Sequence, residues 1–274
     1  MDENLTAKII AEARASRKYR DLDLPESMLR QIITEQTAKG GSAAEITAAF
    51  RKKLHNIVAP YLEDIDYPAE TQQMRAFFET NPSSAQEKQW AVSVMAKHAS
   101  TRERLDHLDV FCGALREVIC SSGTILDLAC ALDPLMLLWL GPSAELNFLA
   151  YDIHKPRLNF LNQFFALKFP NARAIHQDIL VQPPQAEADC AFFFKEAHRF
   201  EKRLPGCNGP FFAAIHAPLL LVSLPAADLS GHHSLVDYHT QLIDRACAGR
   251  GWNVDRILVA NELLFVIRKT LANK

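Results

Sequence analysis

Three aspartates lie at or just past the ends of short apolar runs, and they are the residues best placed to bind a ligand. Asp127 sits in Thr124-Ile-Leu-Asp-Leu-Ala129, Asp152 closes the run Leu146–Tyr151, and Asp178 follows Ala172–His176 by way of Gln177. Runs of this kind suit buried parallel strands. In open α/β sheets, ligands bind beyond the carboxyl ends of such strands. A carboxylate after the second strand offers two oxygens to a vicinal diol, which suits two ribose hydroxyls. An acid after the third can accept from an adenine amino group. Acids after strands are also common turn and N-cap residues, but three in register point to a nucleoside-bearing cofactor. The first loop, Asp127-Leu-Ala-Cys-Ala-Leu-Asp-Pro134, is not G-x-G-x-x-G, and a pyrophosphate would press against its alanines. That favours a phosphate-free ligand such as S-adenosylmethionine over NAD.

The elements that must position these acids are legible as periodicities. Further strands are expected at Asp189–Phe194 and Pro218–Ser223, and Trp252–Val259 with Glu262–Arg268 reads as a hairpin turning at Ala260-Asn261. Ahead of them the chain reads as helix after helix. One opens behind Pro25 and stops at Gly40-Gly41. The next opens on the capping box Ser42…Glu45 and ends at Pro60. Others follow Pro68 and Ser83-Ser84, and a long one runs from about Ser100 to Cys120. The expected fold is therefore α/β, a Rossmann-like open sheet that is mostly parallel with a C-terminal antiparallel hairpin, preceded by an all-helical N-terminal domain. The domain boundary is expected between 97 and 98.

The 274 residues are 49% hydrophobic and 23% charged, which excludes wholesale disorder. Thirty Lys and Arg against 32 Asp and Glu leave a net charge of −2, so any nucleic-acid contact must come from local patches. Arg17-Lys18-x-Arg20 and Arg51-Lys52-Lys53 are two such patches, although a basic cluster is also an ordinary solvated helix face. The acidic start Met1-Asp-Glu lacks the pattern of a secretory leader, and the longest apolar runs are too short to span a bilayer, so a cytoplasmic protein is expected. The six cysteines form no C-x-x-C pair and read as buried thiols. His232, His233 and His239 are read as loop residues rather than zinc ligands, and no metal is expected.

Two strings carry a family resemblance. His98-Ala-Ser-Thr-Arg-Glu-Arg-Leu105 and the loop Asp127–Leu135 resemble those of the aminoglycoside-resistance 16S rRNA (guanine-N7) methyltransferases. Shorter matches, among them Tyr151-Asp-Ile-His154, Gln177-Asp-Ile-Leu180, Phe194-Lys195, Val222-Ser-Leu-Pro225 and Asn261-Glu262, extend the resemblance over nearly the whole chain. It implies a class I S-adenosylmethionine-dependent enzyme that methylates guanine N7 in the decoding region of the small subunit and acts as a monomer. The resemblance would have Arg104 pair with the cofactor's carboxylate and the loop bearing Asp127, Ala129, Ala131 and Asp133 wrap its methionine part. Asp152 with Ile153 would take the ribose, Asp178 with Ile179 would border the adenine, and His98 would belong to the same site. Phe194 and Lys195 would edge the pocket for the target base, and the basic clusters Arg17, Lys18, Arg20, Arg51, Lys52 and Lys53 would grip rRNA. Guanine N7 carries an in-plane lone pair and no proton, so the transfer needs positioning rather than a general base.

The chain departs from that family in three places. Asp133 stands where members generally carry Asn, an extra acid near the cofactor's own carboxylate. The segment Phe194-Lys-Glu-Ala-His-Arg-Phe-Glu-Lys-Arg203 is far more charged than the family's apolar helix. Ala226–Leu235 carries no Lys or Arg where resistance enzymes have a basic loop. Two other functions remain open: a methyltransferase of this fold acting on another RNA or a small molecule, and a non-catalytic ribosome-binding homologue.

Overall fold

A computed structural model describes residues 3–59, 65–119, 123–143, 145–228 and 233–270. Pro60, Cys120, Ser121, Ser122 and His232 lie outside the described residues. The chain opens with α1 (Glu3–Ala15), α2 (Glu26–Ala38) and α3 (Ala43–Val58). Their apolar stripes, Ile9 and Ile10, Met28 to Ile33, and Ile46, Phe50, Leu54 and Val58, close on one another as a separate core. The box that starts α3 is formed on both sides: Ser42 Oγ accepts from Glu45 N at 3.4 Å, and Glu45 Oε2 accepts from Ser42 N at 2.7 Å. Ser42→Ala is expected to lower the unfolding free energy by about 1 kcal/mol; an unchanged urea midpoint would show that this helix start contributes nothing.

Next come α4 (Tyr67–Glu79) and α5 (Ser84–Met95). Asp66 caps the first, with Pro68 in its first turn, and Ser83 forms a second capping box with Gln86. Met74, Val94 and Met95 belong to the core of the sheet, so the N-terminal helical region feeds two cores. The helix expected over Ser100–Cys120 is broken into α6 (Ala99–Arg102) and α7 (Leu108–Ile119), with a 3-10 turn at Leu105–His107 between them. Two side chains account for the break. Thr101 Oγ1 donates back to Met95 O at 2.7 Å, and Arg104, just after α6, is buried with its guanidinium 4.2 Å from the centre of the Phe111 ring.

The rest alternates strand and helix: β1 (Thr124–Leu128), α8 (Leu137–Leu140), β2 (Asn147–Asp152), α9 (Lys155–Lys168), β3 (Ala172–His176), β4 (Cys190–Phe194), α10 (Ala197–Arg203), α11 (Asn208–Ala214), β5 (Leu219–Pro225), α12 (Val236–Cys247), β6 (Asn253–Val259) and β7 (Glu262–Arg268). The seven strands lie in the order β3-β2-β1-β4-β5-β7-β6. The first five are parallel; β7 runs antiparallel to β5, and β6 to β7. Successive side chains face opposite layers. Phe148, Phe192 and Phe194 pack toward α4, α5, α7 and α9, whereas Leu149, Tyr151 and Phe193 pack toward α10, α11 and α12. Covering both faces this way explains why the central strands read as unbroken apolar runs. The five described cysteines are buried free thiols. No described helix is long and apolar enough to cross a membrane.

Candidate functional site

The loop after β1 turns in a conformation that side chains resist. Ala129 and Ala131 hold φ of 57° and 47°, the left-handed region usually left to glycine. Backbone bonds fix the turn: Cys130 N donates to Tyr151 O at 2.9 Å and Asp133 N to Cys130 O at 2.9 Å. Asp152, at the end of β2, adds the side-chain pin. Its Oδ2 accepts from Ala131 N and Arg157 Nη1, both at 3.0 Å, and its Oδ1 accepts from His154 N at 2.9 Å. Burial opposes ionisation of Asp152, but Arg157 and its other donors hold the carboxyl below its ordinary range.

Beside the loop lies a buried set of charges. Arg104 presents Nε and Nη2 to the two oxygens of Glu262 at 2.7 and 3.0 Å, and Nη1 to Asp133 Oδ1 at 2.6 Å. Lys195 Nζ reaches Ser100 O at 3.1 Å, Glu103 Oε2 at 3.0 Å and Glu262 Oε1 at 3.3 Å. Burial opposes ionisation of Glu262, yet the charges of Arg104 and Lys195 outweigh it and bring its pKa down to about 2. Asp133 is pushed up by burial despite Arg104. Asp127 is pushed up furthest, by burial and then by the Asp133 charge, and neither of its oxygens has a hydrogen-bond partner. Three buried carboxyls, Asp127, Asp133 and Glu262, therefore share two cations, Arg104 and Lys195. Such an imbalance favours a further positive charge at Asp127. A ligand carrying an ammonium or sulfonium fits these residues.

The loop, Asp152, Asp178 and α10 wall a cavity of about 740 Å³ that extends under α2 and α3. Most of the expected cofactor residues gather there: Ala129, Ala131, Asp133, Asp152, Ile153, Asp178 and Ile179, with Phe194 and Lys195 on the same wall. Others do not reach it. Asp127 is 1% exposed and lies behind the loop, off the wall. Arg104 lies behind Asp133, and its bidentate edge faces Glu262 rather than the open space. His98 is buried outside the wall with Nδ1 3.1 Å from Ser100 Oγ, and burial brings its pKa down to about 2, so it stays neutral. Asp178 is held by Arg203 of α10, Nη1 to Oδ1 at 3.1 Å and Nη2 to Oδ2 at 2.5 Å. Phe194 is largely core, stacked 5.0 Å from Phe192, and Lys195 adopts a positive φ of 56°.

The basic clusters divide. Arg17, Lys18, Arg20, Arg51 and Lys52 are exposed. Lys18 Nζ lies 2.8 Å from His55 Nδ1, and Arg51 pairs with Glu12 at 2.8 Å. Lys53 departs from the surface role expected of it: it pairs with Glu35, bonds Arg203 O and lines the cavity. The loop Ala226–Leu235, which carries no Lys or Arg, is described except at residues 229–232. Ala227 bridges Ser234, and His239 is buried with Nδ1 2.8 Å from Pro225 O. Among the described residues no group of three or more His, Cys, Asp or Glu is disposed to hold a metal.

Three residues of the network had no site role expected from the sequence: Arg157, Arg203 and Glu262. Glu262 had the clearest signal, a lone acid opening the otherwise apolar strand Glu-Leu-Leu-Phe-Val-Ile. An acid so placed must find a buried cation.

Strand order 3-2-1-4-5-7-6, with acids at the ends of the first three strands and the ligand space above them, defines a class I S-adenosylmethionine-dependent methyltransferase fold. The family model for ribosomal RNA methyltransferase (FmrO) matches residues 15–267. The chain belongs to that family. A 16S rRNA (guanine(1405)-N(7))-methyltransferase of Frankia casuarinae is 28% identical over 259 residues, covering 93% of this chain and 90% of the relative. One from Micromonospora rosea is 25% identical over 257 residues, covering 93% of each. Among solved structures, the 16S rRNA methyltransferase RmtF in complex with S-adenosyl-L-homocysteine superposes with a TM-score of 0.80 at 25% identity, covering 98% of this chain and all of that one. The 16S rRNA methylase RmtB shares the fold, with a TM-score of 0.77 at 23% identity over 97% of this chain and 98% of that one.

Proposed function

We propose that this protein transfers a methyl group from S-adenosyl-L-methionine to N7 of a guanine in 16S rRNA, acting as a cytoplasmic monomer on the small ribosomal subunit. The observation that carries the cofactor half is the left-handed loop of Ala129 and Ala131, pinned by Asp152 on the cavity wall, with the unpartnered carboxyl of Asp127 buried behind it. The family and its 16S-directed relatives support the acceptor half. When bound, the cofactor supplies an electrophilic methyl on a sulfonium. The protein's residues then have three tasks. Asp127, buried behind the loop, would offset the charge of the methionine part's ammonium, Asp152 would accept from the ribose, and Ile153 and Ile179 would pack the nucleoside. Phe194 and Lys195 edge the space for the target base, with Lys195 anchored by three acceptors rather than poised to move a proton. No general base is needed, because N7 has no proton to lose. The unstacked base is held by surfaces that exclude water. We read residues 1–97 as the rRNA-facing region and 98–274 as the cofactor-binding region.

The test incubates purified protein with labelled cofactor and either isolated small subunits or naked 16S rRNA, then maps the modified nucleotide. Label at guanine N7 is the expected result; no label in either RNA, or label on another base, overturns the reading.

Asp127 supplies a separate check with effects of opposite sign. Its folded pKa lies above the ordinary carboxylate value, so the fold favours its protonated form. Its contribution to stability is present below that ordinary value and lost as pH rises toward the raised one. Asp127→Asn removes this loss, so the ligand-free variant should melt higher than the parent near neutral pH. The same change should weaken cofactor binding about tenfold or more, a charged hydrogen bond being worth ~1.5–3 kcal/mol. Calorimetry that finds full cofactor affinity in this variant removes Asp127 from the binding set.

A further inference from the structure

Residues of α3 and α10 both line the cavity, and the helical layer and α10 meet at a few atoms. Lys53 Nζ donates to Arg203 O at 3.1 Å, and Arg203 Nη2 donates to Gln31 Oε1 of α2 at 3.4 Å. One residue earlier on each side stands another lysine, Lys52 on α3 and Lys202 on α10. Both are exposed, and both line the cavity. Among the described residues neither has an ion-pair partner, whereas the neighbouring cations are engaged: Lys39 with Glu35 at 3.7 Å and Arg199 with Glu196 at 3.8 Å.

We propose that Lys52 and Lys202 form a two-sided phosphate clamp at the cavity mouth, receiving the RNA backbone on either side of the extruded base. This rests on the rRNA reading above and adds α10 to the surface that holds the substrate. A base taken out of its stack into a pocket leaves its flanking phosphates at the rim. A lysine ammonium serves there as a point charge, free of the geometric demands of an arginine fork. An unpaired lysine also breaks no existing ion pair to make the contact. The loop Ala226–Leu235 has no Lys or Arg, whereas α10 puts Arg199, Lys202 and Arg203 on the cavity wall. The same arrangement explains how a chain of net charge −2 presents a basic mouth: acids are drawn inside, to Asp178 and Glu35, by Arg203 and Lys53.

The test measures binding of isolated small subunits across a salt series for the parent, Lys52→Ala, Lys202→Ala and Lys202→Glu. Arg245→Ala, an exposed residue of α12 away from the cavity wall, is the comparison. Each alanine should weaken subunit binding roughly three- to tenfold and lower the slope of log K against log salt by about 0.7–1, the loss of one phosphate contact. Lys202→Glu should weaken it further, and Arg245→Ala should leave both readings unmoved. Cofactor affinity by calorimetry should stay within about twofold of the parent in all of them, which separates lost clamping from lost folding. Normal binding and an unchanged slope in Lys202→Ala and Lys202→Glu would overturn the clamp and leave the rRNA reading standing. Failure of the unsubstituted protein to bind subunits while it binds cofactor would overturn both.

Discussion

Arg104→Ala should be the most destabilising single substitution in the site. The guanidinium is 1% exposed, and it holds Glu262 by two hydrogen bonds and Asp133 by a third. Its removal leaves two carboxylates buried without their main cation. Breaking a buried pair from one side costs about 3–5 kcal/mol, which for a chain of this size lowers Tm by roughly 10 °C. The pH dependence supplies an independent mark. Glu262 has its pKa lowered from an ordinary 4.5 to about 2, so its stabilisation is present above 4.5 and lost as pH falls toward 2. Without Arg104 the main source of that lowering is gone, and the acid limb of the stability curve should move to higher pH. A Tm within 2 °C of the parent, or an unmoved acid limb, would show that this network does not hold the α6–α7 break against the sheet.

Asp152→Asn should have the largest effect on the cofactor, with a smaller effect on stability. The carboxylate faces three donors, on His154, Ala131 and Arg157. An asparagine amide keeps one acceptor oxygen and turns an NH2 group toward the donors it replaces. The pin on the left-handed Ala131 weakens, and Arg157 keeps only Tyr67 Oη, 3.0 Å from its Nε. The disturbance should reach the ribose subsite and the methionine loop together. Cofactor affinity is therefore expected to fall by more than tenfold, above 1.4 kcal/mol, with a Tm loss of only a few degrees. Calorimetry showing parental affinity would remove Asp152 from the site.

Much of the sheet is legible in the sequence because its signals are local. Ala172–His176 and Glu262–Arg268 are found at the expected residues, and the other strands shift by one or two, where frayed ends carry no pattern. The three acids are legible because position along a strand fixes which end of the sheet they reach. What escapes is pairing across long separations. Arg104 and Glu262 lie 158 residues apart, and Asp178 and Arg203 meet only because α10 folds back over the strand ends. For the same reason the departures from the family read differently in three dimensions. Asp133 is a partner of Arg104 rather than a stray acid, and the charged segment after Lys195 becomes a cavity wall. The break before α7 was hidden because Ser100–Cys120 keeps helical spacing on both sides of Arg104.

Arg203 is one side chain with two allegiances. It holds Asp178, and through Gln31 and its own carbonyl it holds α2 and α3. A ligand that draws Asp178 away from Arg203 alters the seat of the helical layer, and a ligand that reseats that layer alters Asp178. Thermodynamic linkage requires the two effects to be equal in free energy. The factor by which cofactor changes the affinity for the second substrate must be the factor by which the second substrate changes the affinity for cofactor. A joint of this kind couples the occupancy of one substrate to that of the other without any moving part larger than an arginine.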